Sequence, residues 1–334
     1  MSSETSRRAR LGPVLSVLCL ALIAAAGIER AAAQDFPTRP VRFIVPYAPG
    51  GSGDILTRFI ANRLGALWGQ QTIVENKPGG GGLIGTEAAV RSPPDGYTIY
   101  VASEGPVTVA PSLMKSVPYD WKRDLAPLSM LAVGYQVLIV DPRLAVATLA
   151  DFIALARARP GVLNYASIGI GSTPHLGAEI FKAAAKVDIT HVPYKGATAQ
   201  ALTALTAGEV SMFMVGTSPI IGPVRAGKLR ALAVTSPRRM DQLPDVPTFG
   251  EAGMPDVDVK LWFALMVPGS TPETIVRRLH ADMVKAIGDP EIRSTFEQRG
   301  FEAIASTPEE LGTFLDKDAA RARDLINDLK LEKQ

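Results

Sequence analysis

The sequence predicts an α/β protein of two lobes, each a mostly parallel sheet flanked by helices. Three observations predict it. Short β-rich runs alternate with helical patterns over most of the chain. Two apolar runs follow each other with no helix between them. One strand, glycine loop and helix unit occurs in each half. Alternation of this kind joins parallel strands, because a crossover must return the chain to the same end of the sheet. At 334 residues, 47% hydrophobic and 20% charged, the chain is long enough for one large domain or two medium ones, with apolar residues to fill them. The net charge is +2 and the basic residues are scattered, which argues against nucleic acid as a partner.

Residues 1–33 stand apart. Arg7, Arg8 and Arg10 precede an apolar stretch from Leu11 to Ala26, and Ala31-Ala32-Ala33 fits a small-residue cleavage site. The segment reads as a removed signal peptide. Part of it resembles a twin-arginine signal, so export by the Sec or the twin-arginine route stays open. The single cysteine, Cys19, would leave with it, and the rest would hold no disulfide, thiol nucleophile or cysteine metal ligand. Removing residues 1–33 takes away four arginines and two glutamates and leaves 31 basic and 31 acidic side chains.

In chain order, period-2 or continuous apolar runs predict strands at Val41–Pro46, Thr72–Glu75, Thr98–Ala102, Leu128–Val133, Gln136–Val140, Leu163–Ala166, Ile189–Val192, Val210–Val215, Leu229–Val234 and Leu261–Val267. Helical spacing predicts helices at Asp54–Leu67, Ile84–Arg91, Leu149–Arg159, Pro174–Lys186, Thr198–Ala207, Pro219–Ala226, Pro272–Ile287 and Pro308–Leu329. The runs Leu128–Val133 and Gln136–Val140, split by Gly134, form either a hairpin or one strand passing between sheets. Leu261–Val267 is a second candidate crossing. Two crossings would make lobe 1 from residues 34–133 plus 262–334 and lobe 2 from residues 134–261, with a ligand cleft between them.

Two loops carry the candidate chemistry. In Val45-Pro46-Tyr47-Ala48-Pro49-Gly50-Gly51-Ser52-Gly53-Asp54 a strand runs into glycines, and Asp54 is a candidate cap of the next helix. In Asn164–His175 a strand leads through Ser167, Gly169, Gly171, Ser172 and Thr173 to Pro174, which suits a first helical turn. Glycines let main-chain amides approach a ligand, and a helix N-terminus favours an anion. Each loop alone is equally a simple βα turn.

Gly80-Gly81-Gly82-Leu83-Ile84-Gly85 matches a dinucleotide fingerprint formally, with Glu104 downstream. The alternative reading is therefore an exported nicotinamide-dependent oxidoreductase. Against it, Asn76-Lys77-Pro78 separates the strand from the glycines. The chain has no nucleophile elbow and no P-loop, and His175, His191 and His280 lack metal-ligand spacing. His175 either touches a ligand or satisfies a helix end. We therefore expect no catalytic residue, no metal and no cofactor.

The stretches VPYAPGGSGDILTR, VENKPGGGGLIGTEA, PDGYTIYVAS, NYASIGIGSTPHLGAE, HVPYKGATAQAL, GKLRALAVTSPRR, LPDVPTFGEAGMP and STPEEL, in this order, resemble the tripartite tricarboxylate transporter solute receptors, the Bug or TctC-type periplasmic binding proteins. The resemblance runs from Phe36 to about Leu329. It implies a periplasmic location, a type II Venus-flytrap fold with two crossing strands, and a small organic carboxylate held without chemistry. Carried over, its ligand loops are Tyr47, Ala48, Gly50, Gly51, Ser52 and Asp54, and Ser167, Gly169, Gly171, Ser172, Thr173 and His175. Ser103, Tyr194 and Lys195 match cleft motifs. It also implies partners, either membrane permease subunits or a sensor protein.

This chain departs from similar receptors at Val215, Gly216 and Ser211, where polar residues are common, and at Pro106, Val107 and Ala110. An apolar wall leaves extra ligand hydroxyls or an ammonium unpartnered, at roughly 1–3 kcal/mol each. The expected ligand is a carboxylate with an apolar, aromatic or aliphatic remainder.

Overall fold

The computed structural model describes residues 36–333, so the signal segment lies outside the described residues. Residues 36–39 group with an N-terminal unit, and the chain from Pro40 onward is the second unit, which alone is considered below.

The chain enters the first sheet by β1 (Val41–Val45), crosses by the helix Ser52–Trp68 to β2 (Thr72–Asn76), and returns by the helix Leu83–Val90 to β3 (Thr98–Ser103). These strands are parallel in the order β2-β1-β3. β9 (Lys260–Pro268) pairs antiparallel with β3, and the first part of β4 (Leu125–Val140) pairs antiparallel with β9. A short strand, β10 (Phe301–Ala303), also pairs with β4.

In the second sheet β5 (Asn164–Ser167) lies between β6 (Thr190–Pro193) and β7 (Met212–Gly216), all parallel. Residues Gln136–Val140 of β4 pair antiparallel with β7, and β8 (Arg230–Val234) pairs along the same part of β4. Each sheet is thus parallel where βαβ units built it and antiparallel where β4 and β9 enter, a mixture that the helix–strand alternation did not display.

β4 resolves the open choice around Gly134. It is one 16-residue strand that belongs to both sheets. A glycine stands inside it because the Phe301 ring lies on the backbone there; a Cβ on Gly134 would come within 2.5 Å of Phe301 Cε1. β9 pairs only in the first sheet, yet the loop before it packs Phe249, Val257 and Val259 into the core of the second.

Tyr100, Trp262, Met266, Leu311 and Leu315 fill the first core. Phe152, Tyr165 and Phe181 fill one face of the second sheet, and Leu205, Phe213 and Val234 the other. Each such side chain contributes about 1.5–3 kcal/mol by leaving water. The helix Pro308–Asp328, opened by a Thr307–Glu310 capping box, starts on the first core and brings Ala322 and Ile326 to the second. Several elements escaped the sequence reading, among them the helix Pro290–Gln298, the three-residue β10 and the short helical turns Gly105–Val109, Ala110–Leu113 and Trp121–Asp124, all too short for a firm period.

Candidate functional site

The first loop folds differently from its simplest reading. The helix cap is Gly51, and no side chain caps the helix. Asp54, the expected cap, lies at the third helical position. Gly50 takes φ +89°, and its N–H donates to Asp54 Oδ2 at 3.0 Å. Arg58 donates to both carboxylate oxygens, at 2.8 and 3.1 Å, and Asn76 to Oδ1 at 2.9 Å. Burial opposes ionisation of Asp54, but Arg58, the Gly50 N–H and Asn76 together hold its carboxyl below the usual range. The charge of Asp54 is therefore spent inside the loop. The first-turn N–H groups of Ser52, Gly53 and Asp54 have no acceptor within their helix, because the fourth residue before each is not helical.

The second loop uses more of its own donors. Gly169 N–H donates to Ser167 Oγ at 3.0 Å, and Gly171 N–H to His175 Nδ1 at 3.4 Å. The hydroxyl of the cap residue Ser172 turns back to Gly169 O at 2.6 Å, so the helix Thr173–Ala185 also lacks a side-chain cap. Pro174 has no N–H to offer. Burial lowers the His175 pKa and, aided by neighbouring His175, that of His191 to about 4, so neither ring supplies positive charge near neutrality. Ser167 Oγ lies 2.6 Å from His191 Nε2, a spacing a nucleophile and its base would have. Yet Ser167 is fully buried and its oxygen already accepts the Gly169 N–H.

The first turns of both helices line one partly open cavity of about 40 Å³, walled by residues of both sheets. That is room for a few waters, since each needs about 10–15 Å³. Of the residues expected at the site, Tyr47, Gly51, Ser52, Asp54, Ser103 and Thr173 line this cavity. Ala48, Gly50, Ser167, Gly169, Gly171, Ser172, His175, Tyr194 and Lys195 do not. The physical reason is that their polar groups are engaged in building the loops, or, for Lys195, face solvent. Gly53, one of the loop glycines read as letting amides approach a ligand, also lines the cavity; the sequence reading missed Gln136 and Thr198, and the apolar wall of Ile168, Pro174, Leu261 and Phe263. Val215 and Gly216, noted as departures, do line it. Thr198 carried a readable signal, as the first residue of a helix after Gly196-Ala197. Leu261 and Phe263 carried none, because only the placement of β9 beside β3 brings them here.

Around the cavity the two halves touch through bare backbone. Ala48 N–H donates to Gly196 O at 3.0 Å. Gly81 has φ +66°, and a Cβ there would run into the Ile170 carbonyl oxygen. A Cβ on Gly169 would sit 2.9 Å from Gly81 N, and one on Gly105 would sit 2.9 Å from Gly171 O. The glycine run that formally matched a dinucleotide fingerprint is thus occupied by close main-chain contact with the second loop.

Among the described residues, the side chains of Gln136 and Glu104 hold buried polar atoms without a partner. Neither amide atom of Gln136, on β4, has a hydrogen-bond partner, although the residue is fully buried and lines the cavity. An unpaired buried amide costs about 1–3 kcal/mol. Glu104 Oε2 is also unpartnered, in a small neighbouring hollow with Asp318 and Arg321. Burial, with repulsion from Asp318, pushes the Glu104 carboxyl up to about 8, while Arg321 and the Thr173 hydroxyl pull the other way. Among the described residues that line the main cavity there is no lysine, arginine or histidine.

This geometry accords with what the chain is similar to. Residues 56–331 match the model of the tripartite tricarboxylate transporter family receptor. Protein BugT of Bordetella pertussis is 36% identical over 90% of this chain and 92% of its own length. The solved periplasmic binding protein BugD is 30% identical, aligned over 90% of this chain and 100% of that one with a TM-score of 0.85. An R. palustris protein solved with adipate is 32% identical over 90% and 100%, with a TM-score of 0.86. Among the described residues no helix is long and apolar enough to cross a membrane. The chain, an α/β protein of two lobes, belongs to the tripartite tricarboxylate transporter family receptors.

Proposed function

We propose that this protein is a periplasmic solute receptor that captures a small organic carboxylate between its lobes and performs no chemistry on it. One lobe comprises residues 34–133 with 262–334, and the other residues 134–261. The observation that carries the reading is the convergence of two helix N-termini, neither capped by a side chain, on one cavity. Unpaired first-turn amides and the positive end of the helix dipole suit a carboxylate and need no cationic side chain. A relative solved with adipate supports the ligand class.

The cavity is too small for such an acid, so the lobes part to admit it and close over it as a hinge motion. Ligand contact with both lobes shifts that equilibrium. The signal segment 1–33 delivers the chain to the periplasm by the Sec or the twin-arginine route. The closed form then docks on membrane permease subunits or a sensor protein. The wall of Ile168, Val215, Leu261 and Phe263 favours a carboxylate with an apolar remainder.

Calorimetry with benzoate-like and aliphatic acids against citrate and glutamate tests this. Micromolar or tighter binding of a weakly polar acid is expected. A preference for citrate sinks the apolar-remainder reading, and failure of every organic acid sinks the carboxylate reading itself.

A further inference from the structure

We infer that Gln136 determines ligand specificity, by reading one neutral hydroxyl on the part of the ligand remote from its carboxylate. The inference rests on the proposed carboxylate site and adds the second group that the ligand must carry.

Gln136 sits in the second-sheet part of β4, where its main chain is fully used. Its N–H donates to Thr235 Oγ1 at 2.9 Å, and its carbonyl accepts the Thr235 N–H at 2.9 Å. The side chain is a different matter. It is fully buried, it lines the cavity, and both Oε1 and Nε2 lack a partner. The surroundings make room for it twice. Its neighbour across the ladder is Gly216, which has no side chain to cover it. On the helix Thr173–Ala185, Gly177 stands where a Cβ would run into Oε1. A buried amide given this space and no protein partner is satisfied by what enters the cavity.

The choice of partner follows from both ends of the amide. A hydroxyl donates to Oε1 and accepts from Nε2 at once. A ketone or ether accepts only and leaves Oε1 unpaired. A second ionised carboxylate also has no proton to donate, and no cation lines the cavity to balance its charge. Ile168, Pro174, Val215, Leu261 and Phe263 make much of the remaining wall apolar, and Gln136 supplies its one unpartnered amide side chain, so a hydroxyl is the polar group assigned to the ligand's remainder. Ser103 does not compete for it, since its Oγ lies 3.1 Å from the Tyr47 hydroxyl.

The test uses the mature full-length chain and matched acids of four to seven carbons: the parent alkanoate, its ω-hydroxy acid, the ω-methoxy acid and the α,ω-diacid. Calorimetry on the wild type is expected to show one ω-hydroxy acid binding about tenfold tighter than its parent, the worth of one to two net hydrogen bonds. The methoxy acid, which keeps the acceptor and loses the donor, falls back to within about threefold of the parent. Gln136→Met abolishes the hydroxyl preference, so the affinity ratio of hydroxy acid to parent falls to about one. Should that variant fail to melt cooperatively, Gln136→Leu, which also carries no hydrogen-bonding group, replaces it, with the same loss of preference.

Equal wild-type affinity for hydroxy acid and parent overturns the inference, and so does a preference that survives the substitution. Tighter binding of the diacid than of the hydroxy acid overturns it as well. If no acid of any series binds the wild type, the carboxylate site has failed, and that is distinguishable from parent acids binding without hydroxyl discrimination.

Discussion

The two glycine loops look interchangeable in sequence, but they do different work. In the first, an internal carboxylate, Asp54, ties down the loop while Ser52, Gly53 and Asp54, whose first-turn amides have no acceptor within the helix, line the cavity. In the second, Ser167 and His175 consume the amides of Gly169 and Gly171, and Pro174 removes another donor. Only Thr173 and Pro174 of its helix start reach the cavity. The second loop instead lays its backbone against Gly81 and Gly105. A strand–glycine–helix pattern therefore predicts exposed backbone; whether that backbone meets a ligand or another stretch of chain is settled by which donors are already spent.

The contrast is broken most forcefully at the lobe contact. Gly81→Ala puts a methyl group against the Ile170 carbonyl and strains a positive φ. It should weaken ligand binding by more than about tenfold and leave the scattering radius of the ligand-bound sample near that of the open form. Unchanged affinity and compaction would show that the two backbones need not meet.

Next comes a single donor. Ser52 is the first helical residue, a position that tolerates proline. Ser52→Pro deletes one N–H at little expense to the helix, and should lower affinity about tenfold relative to Ser52→Ala. Equal affinities of the two variants would remove the first loop's amides from the ligand.

A smaller effect appears with pH. The Glu104 carboxyl is raised from its ordinary value of 4.5 to about 8 in the structure, chiefly by burial. Between those values the folded protein holds a proton that the unfolded chain has lost, so stability falls as pH rises from 4.5 to about 8 and levels off above. Groups facing Glu104 are Thr173, Asp258, Asp318 and Arg321. His191 and His175, both lowered by burial, add an opposing slope below pH 6.5 that is common to both proteins, so in denaturant melts it is the difference between wild type and Glu104→Gln that should carry the Glu104 slope. If opening returns Glu104 to its ordinary range, closure on ligand takes up a proton near pH 7, readable as buffer-dependent binding heat. A wild-type minus Glu104→Gln difference that stays flat from pH 4.5 to about 8 would refute the assignment.

Least affected is Lys195, exposed and off the cavity, with φ +22° in the turn that offers Gly196 O to Ala48. Lys195→Ala should change affinity by less than about twofold. A larger loss would return Lys195 to the ligand site, where sequence resemblance had put it.

How much of this was legible beforehand differs by residue. The strands that end at Val45 and Ser167, and the helices that follow, were readable from local pattern, because periodicity and glycine placement are properties of neighbouring residues. Gly134 was readable only as a choice: the same residues serve a hairpin or a through-strand, and Phe301, far along the chain, selects the strand. Asp54 was readable as a group at a helix start, but not as one that accepts the Gly50 N–H from the third position.

What the sequence determined by itself was the α/β alternation, the two backbone-rich helix starts and an apolar chain with balanced charge. Each of these is written in contacts between residues near one another in the chain. Tertiary structure alone decided which amides stay free, that Gln136 ends up buried without a partner, and that Phe263 and Leu261 wall the cavity. Those outcomes depend on strands more than a hundred residues apart lying side by side, and on hydrogen bonds that can be counted as spent only once every competing partner is in place.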